Sequence, residues 1–129
     1  MRVIEERIIN YLKSNDFLDY PRLNNLKNLS ERDAVDISSD KKYVYLWGYC
    51  IFSIDKENNI IFSFRTWQTH TTRSRINALL SEFSSCHARI YQKNYSLIFS
   101  SSAGEFPISP DKFYTIKNGK PKDIGSFLG

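Results

Sequence analysis

Two apolar segments around a short polar turn constrain this chain more than any other feature. Residues 43–54 read YVYLWGYCIFSI and residues 60–66 read IIFSFRT, with DKENN between them. β-Branched and aromatic side chains suit a pleated, half-buried surface. The pattern predicts two antiparallel strands joined at 55–59. Alternation puts Tyr43, Tyr45, Trp47, Tyr49 and Ile51 on one face, and Val44, Leu46, Cys50, Phe52 and Ile54 on the other. A hairpin with one wet face alternates apolar with polar residues. This one does not, so both faces need a cover: the chain's own helices, or a second copy docked on 43–64. Gly48, mid-strand in this reading, predicts a bulge or a close backbone approach.

Helical spacing appears on either side. Val3, Ile4, Ile8, Ile9 and Leu12 recur as one face within 2–14, with Glu5, Glu6 and Arg7 between them. Pro21 suits the first turn of a second, short helix carrying Leu23, Leu26 and Leu29. Ser30 followed by Asp33 resembles a capping box and predicts a helical turn over 31–36, with a loop at 38–42. Ile76, Leu79, Leu80 and Phe83 predict a helix over 72–84. ARIYQKNYSLIFS then reads as a strand pair turning at Lys93-Asn94. Pro107 and Pro110 confine two further short strands to an edge, and NGK at 118–120 is a turn. The expected architecture is a single α+β domain over 1–129. It has a helical lead-in at 1–40, an antiparallel β-β-α-β-β core within 43–116, and a loose tail at 117–129. Three short helices before a hairpin is also the order of a winged helix. The third segment, SERDAVDIS, is acidic and suits DNA contact poorly.

Composition narrows the class. Hydrophobic content of 41% and charged content of 25% are those of an ordinary soluble globule. No apolar run is long enough to cross a membrane and no secretory leader is visible, so the expected location is cytoplasmic, with Cys50 and Cys86 reduced. The net charge of +4 is unevenly spread. Residues 65–93 hold Arg65, Arg73, Arg75, Arg89 and Lys93 against Glu82 alone, while the flanking segments cancel. A local excess of this kind favours an acidic partner, either nucleic acid or an acidic protein face.

That excess centres on residues 69–80, THTTRSRINALL. Thr71 or Thr72 suits an N-cap, because a threonine hydroxyl accepts a first-turn N–H. Arg73 and Arg75 do not suit one, since cations in the first turn oppose the helix macrodipole by about 0.3–1 kcal/mol each. Hydroxyls, unpaired N–H groups and two guanidiniums together predict an anion or acidic-partner site, to which Arg65 and His70 could add.

The order of a Tyr-rich strand, a polar turn, a return strand and then TWQTHTTRSRINALL resembles a family of small, uncharacterised proteins carried mainly by bacteriophages. Their pattern is a Tyr-containing hairpin, an aromatic-Ser pair, then Thr-Thr-Ser-Lys/Arg-His and an Asn leading into a helix. Thr71, Thr72 and Asn77 match as they stand. Thr69 stands where that family has Ser, and Trp67 stands for the aromatic. Arg73, Ser74 and Arg75 depart from Ser-Lys/Arg-His, and the missing His removes any role resting on it. The resemblance covers about residues 43–84. It implies a phage or mobile-element origin, a setting in which small proteins often bind and block host machinery.

Other chemistry is poorly supported. Cys86-His87 lacks an orienting third residue, and neighbours on a strand face apart. His70 and His87 have no Cys or carboxylate at metal-ligand spacing, and Asp33, Asp36 and Asp40 read as caps and solvated groups. The Tyr43, Tyr45, Trp47, Tyr49 row would stack bases if bare, and be core or interface if covered. The expected function is therefore a non-enzymatic, phage-type binding protein without metal or cofactor. It would inhibit a host defence or nucleic-acid-processing system, in the manner of anti-CRISPR proteins, from the cytoplasm of the bacterial host. Its contact surface is expected to be Arg65, Trp67, Thr71, Thr72, Arg73 and Arg75, facing an acidic protein surface of a host complex. The alternative is a nucleic-acid binder that holds phosphates through Arg73 and Arg75.

Overall fold

The computed structural model describes residues 2–20 and 26–126. Helix α1 (Val3–Ser14) leads into β1 (Lys27–Asn28), β2 (Asp33–Ile37), β3 (Lys41–Leu46), β4 (Tyr49–Asp55) and β5 (Ile60–Phe62). Helix α2 (His70–Phe83) follows, then β6 (Arg89–Lys93), β7 (Ser96–Ser101), β8 (Gly104–Ile108), β9 (Lys112–Lys117) and β10 (Lys120–Ser126). One sheet has seven strands in the order β1-β2-β3-β4-β5-β9-β10, and the other has three in the order β6-β7-β8. Every pairing is antiparallel.

The α+β class holds, but the order of elements differs from the expected one. Among the described residues one helix leads, not several, and five strands stand on each side of α2. Ser30 and Asp33 close a hairpin turn, not a helix. Arg32 and Asp33 N–H groups donate to Ser30 Oγ, which donates to Asp33 Oδ2. Leu29 N–H bonds the Asp33 carbonyl across the turn. A serine offers its backbone the same local bonds at a turn as at a cap, so the signal was real and its context was misassigned. Leu29 is buried, whereas Pro21 and Leu23 lie outside the described residues.

Residues 43–54 form two strands. Leu46 pairs with Tyr49, leaving Trp47 and Gly48 as a two-residue turn with φ of 52° and 81°. Two consecutive positive φ values make the primed turn whose twist suits a hairpin. Gly48 is thus the second turn residue, and the bulge lies further along, where Tyr45 pairs with Cys50 and Val44 with Phe52. The turn at 55–59 stands as expected, with Asp55 accepting from Glu57 and Asn59 N–H groups. The tail assigned to 117–129 forms β10 up to Ser126, paired with β9 through a turn at Asn118-Gly119. Pro107 does sit on an edge strand, β8, whereas β9 is interior, between β5 and β10.

A continuous apolar core joins both helices to both sheets. Phe62 of β5 stacks on Phe99 of β7 at 5.9 Å between ring centroids, and on Tyr114 of β9 at 5.7 Å. Val44, Leu46, Phe52, Ile54 and Phe62 all belong to this core, so the chain itself covers that face of the hairpin. Tyr43 and Tyr45 lie half-buried on the other face. Among the described residues no helix is long and apolar enough to cross a membrane.

Candidate functional site

Helix α2 decides where the expected contact residues go, because a helix turns successive side chains by about 100°. Thr69, not Thr71 or Thr72, is its N-cap: Thr69 Oγ1 accepts the Thr72 N–H at 3.1 Å. Thr72 is buried and Thr71 half-buried.

Arg75 faces inward. Its side chain is fully buried and its guanidinium is held on two sides. Nη1 donates to Glu5 Oε2 at 2.7 Å, and Nε to Asp33 Oδ1 at 2.7 Å. Ser74 Oγ donates to the same Glu5 oxygen at 2.7 Å, and the Arg2 N–H to Glu5 Oε1. Burial pushes the Glu5 carboxyl up. The Ser74 hydroxyl, the Arg2 N–H and Arg75 outweigh it and hold the group below its ordinary value. This trio ties α1, β2 and α2 together. The expectation that Arg75 meets a partner is corrected: its charge is consumed inside the protein, which also explains an arginine in the first turns of α2.

Arg65, Trp67, Thr71 and Thr72 do come together. With Leu46, Trp47, Tyr49, Ile51, Phe64 and Thr69 they line a cleft of about 190 Å³. Trp47 is 61% exposed, Trp67 55% and Tyr49 45%. Two primed turns build it. One is Trp47-Gly48; the other is closed by Trp67 N–H to Phe64 O at 2.8 Å, with Arg65 and Thr66 at φ of 51° and 67°. Arg65 lies between the rings of Tyr49 and Phe113, each centroid 5.3 Å from Cζ, and donates through Nη1 to the Cys50 carbonyl. Among the described residues no carboxylate lines the cleft. Left-handed backbone at Trp, Arg and Thr is costly, about 1–2 kcal/mol per residue. Such strain concentrates where function needs a side chain in one place.

Arg73 points elsewhere, donating to Gln92 Oε1 at 3.0 Å across a separate groove between α2 and β6. Asn77 bridges the same two elements. Its Nδ2 donates to the Ile90 carbonyl and its Oδ1 accepts the Ile90 N–H, both at 2.7 Å. Sequence reasoning missed Trp47 and Tyr49 as members of the cleft, because Trp47-Gly48 was read as mid-strand. A Gly preceded by a non-glycine between two apolar runs was the available signal.

His70 and His87 stand at opposite ends of α2, which spans about 20 Å. No hydrogen bond joins the Cys86 thiol to His87, and His87 has a left-handed φ of 56°. Burial pushes the Cys50 thiol up, against the opposing pull of the Phe52 backbone and Arg65. Among the described residues no group of three or more His, Cys, Asp or Glu is placed to hold a metal ion.

A family model described as Kyanoviridae Gp96 protein matches residues 1–118, spanning α1 through β9. The chain belongs to this phage family. No curated protein and no solved structure matches it.

Proposed function

We propose that the protein is a non-enzymatic binding protein that the phage uses against its host. It docks its Trp47–Tyr49–Arg65–Trp67 cleft onto an acidic protein surface of a defence or nucleic-acid-processing complex. One observation carries this reading: two exposed tryptophans and a tyrosine ring a small cleft beside an arginine, with no carboxylate in the lining among the described residues. Trp, Tyr and Arg are the residues that dominate interface energetics. Phage-family membership supplies the setting. The rival reading, phosphate contact through Arg73 and Arg75, loses half its residues to the core.

Both tryptophans of the chain rim the cleft, so intrinsic emission reports its occupation. Immobilised protein is expected to capture an acidic host protein from lysate. Titration with that protein should shift the emission to the blue. Trp67→Ala should weaken the complex by about 2 kcal/mol, a loss on the order of 30-fold. Arg73→Glu should leave it unchanged. Equal capture by wild type and the tryptophan variants would sink the reading.

The strain at Trp47 gives a separate expectation. Trp47→Asn creates Asn-Gly, the preferred pair for this turn, and removes a bulky left-handed residue. It should stabilise the fold by about 1 kcal/mol, or roughly 3–5 °C in Tm, while abolishing docking. A thermal melt showing destabilisation would mean that Trp47 packs for the fold and not for a partner.

A further inference from the structure

The groove between α2 and β6 has a volume of about 970 Å³, against about 190 Å³ for the tryptophan cleft. It lies on a different face of α2 from the tryptophan cleft. His70, Arg73, Ser74, Asn77, Ser81 and Ser84 line its helical wall. Their spacing of i, i+3, i+4, i+7, i+11 and i+14 is one continuous polar stripe. Arg89 and Gln92 stand on the opposite wall, with His87 at the far end.

The charge of this groove is uncompensated. Neither Arg73 nor Arg89 has a carboxylate within ion-pair distance among the described residues. Arg73 is aimed across the groove by a neutral partner, Gln92. Among the described residues the one carboxylate in the lining, Glu5, is committed to Arg75, Ser74 and the Arg2 N–H. Glu105, outside the lining, accepts from the Tyr91 phenol. Arg2 Nη2 lies 3.2 Å from His70 Nδ1. A guanidinium can only donate, so Nδ1 accepts and the His70 Nε2–H is left as a donor. Ser84 Oγ, which also lines the groove, is buried and makes no hydrogen bond. A polar wall about 20 Å long, with donors at His70 and Ser81 and two arginines that face no carboxylate, suits a ligand whose negative charge repeats along its backbone. Apolar lining is confined to Ala78, Ala88, Ile90 and the Tyr91 ring, which offers no pockets for the side chains of a peptide.

We propose that the α2–β6 groove holds a single strand of nucleic acid by its phosphates, through Arg73 and Arg89, with His70 and Ser81 of the helix stripe as further hydrogen-bond donors. This goes beyond the docking cleft and stands independently of it. A protein with both sites would engage a nucleic-acid-processing complex on its protein and on its substrate strand at once.

Fluorescence anisotropy with labelled oligothymidylate tests this on the full chain. Binding is expected at about 50 mM salt and should weaken by about sevenfold at about 200 mM, the slope of two phosphate contacts on a single strand. Arg73→Glu/Arg89→Glu should weaken it tenfold or more. Lys120→Glu/Lys122→Glu makes the same change in net charge on β10 and should stay within about threefold. Trp47→Asn/Trp67→Ala should bind the strand as wild type does, which separates failure of this groove from failure of the cleft. Circular dichroism establishes that each variant is folded. Three results would each overturn the proposal: no binding at low salt, equal loss in the two charge variants, or equal affinity for a duplex. Displacement of the strand by polyglutamate as readily as by unlabelled oligonucleotide would also overturn it.

Discussion

Truncating Arg75 to alanine is expected to destabilise the fold by about 3–5 kcal/mol, the cost of stripping one partner from a buried ion pair. A domain of this size has roughly 5–15 kcal/mol in all, so the variant should be marginal or unfolded at growth temperature. The cause is not the lost attraction but what is left behind. Glu5 remains buried, at 3% exposure, without its cation, and Asp33, at 1%, keeps only the exposed Arg32 at 3.6 Å. Arg75→Lys should fall between, because an ammonium cannot reproduce the fork that meets Asp33 and Glu5 together. Replacing the whole trio, as Glu5→Met/Asp33→Leu/Arg75→Met, should recover most of the loss, since well-packed apolar groups replace buried charges at little cost. Urea midpoints measure all four proteins. A triple variant no better than Arg75→Ala would show that the cation holds the helices by geometry that apolar packing cannot supply.

The same trio sets an acid limit. The Glu5 carboxyl is held below its ordinary 4.5 in the folded state. A depressed folded value means the contribution is complete above the unfolded value and is lost as pH falls through the folded one. Wild type should therefore lose stability as pH drops below about 4.5. In Arg75→Ala the downward pull weakens, because burial is then opposed only by the Ser74 hydroxyl and the Arg2 N–H, so less stability is lost on protonating Glu5. The stability gap between wild type and Arg75→Ala should be widest near neutrality and narrow towards about pH 3. A constant gap would mean that Glu5 is not the group left stranded. Binding experiments with Arg75 variants read unfolding, which is why the groove is tested through Arg89.

What could be read from the sequence follows from where local pattern and tertiary context agree. Helices α1 and α2 announced themselves because their apolar spacing is the face they bury, Ile8, Ile9 and Leu12 in one and Ile76, Leu79 and Leu80 in the other. The 55–59 turn was legible from Asp and Asn, which bond their own backbone. The 47–48 turn was not, because tryptophan at a left-handed position runs against turn preference and follows an unbroken aromatic row. Ser30-x-x-Asp33 was legible as a local hydrogen-bonding unit but not as a turn, since only pairing of β1 with β2 decides between them. The tail was misread because β10 is mostly exposed, so its residues lack the apolar alternation that marks a strand. At the candidate site, residue types led to the right segment but not to the right partition. One arginine of the pair faces the groove and the other fills the core. The helical period alone would have parted them, had Glu5 and Asp33 been recognised as waiting for a cation.

Asn77→Ala carries the second large expectation, a loss of about 2–4 kcal/mol together with opening of the groove. Strand β6 is an edge of its sheet, and Ile90 turns its N–H and C=O away from β7 toward α2. Asn77 answers both with one side chain, as a neighbouring strand would. Alanine leaves a donor and an acceptor unsatisfied beside a residue that is 1% exposed. Each such group costs about 1–3 kcal/mol where water cannot reach it, and partial hydration at the groove lowers the sum. Asn77→Asp keeps the acceptor for the Ile90 N–H but sets a carboxylate against the Ile90 carbonyl, so it should cost as much or more. Amide exchange at Ile90 reads this bond directly. In Asn77→Ala it should accelerate to the rate of the exposed edge while amides within α2 keep their protection. Unchanged exchange at Ile90 would mean that packing of Ile90 against Leu79 and Leu80, all in the common core, holds β6 to the helix without the asparagine. If exchange does accelerate, Asn77 is the hinge pin between fold and groove. Strand binding should then weaken in Asn77→Ala even though both arginines remain, because the two walls no longer hold a fixed spacing.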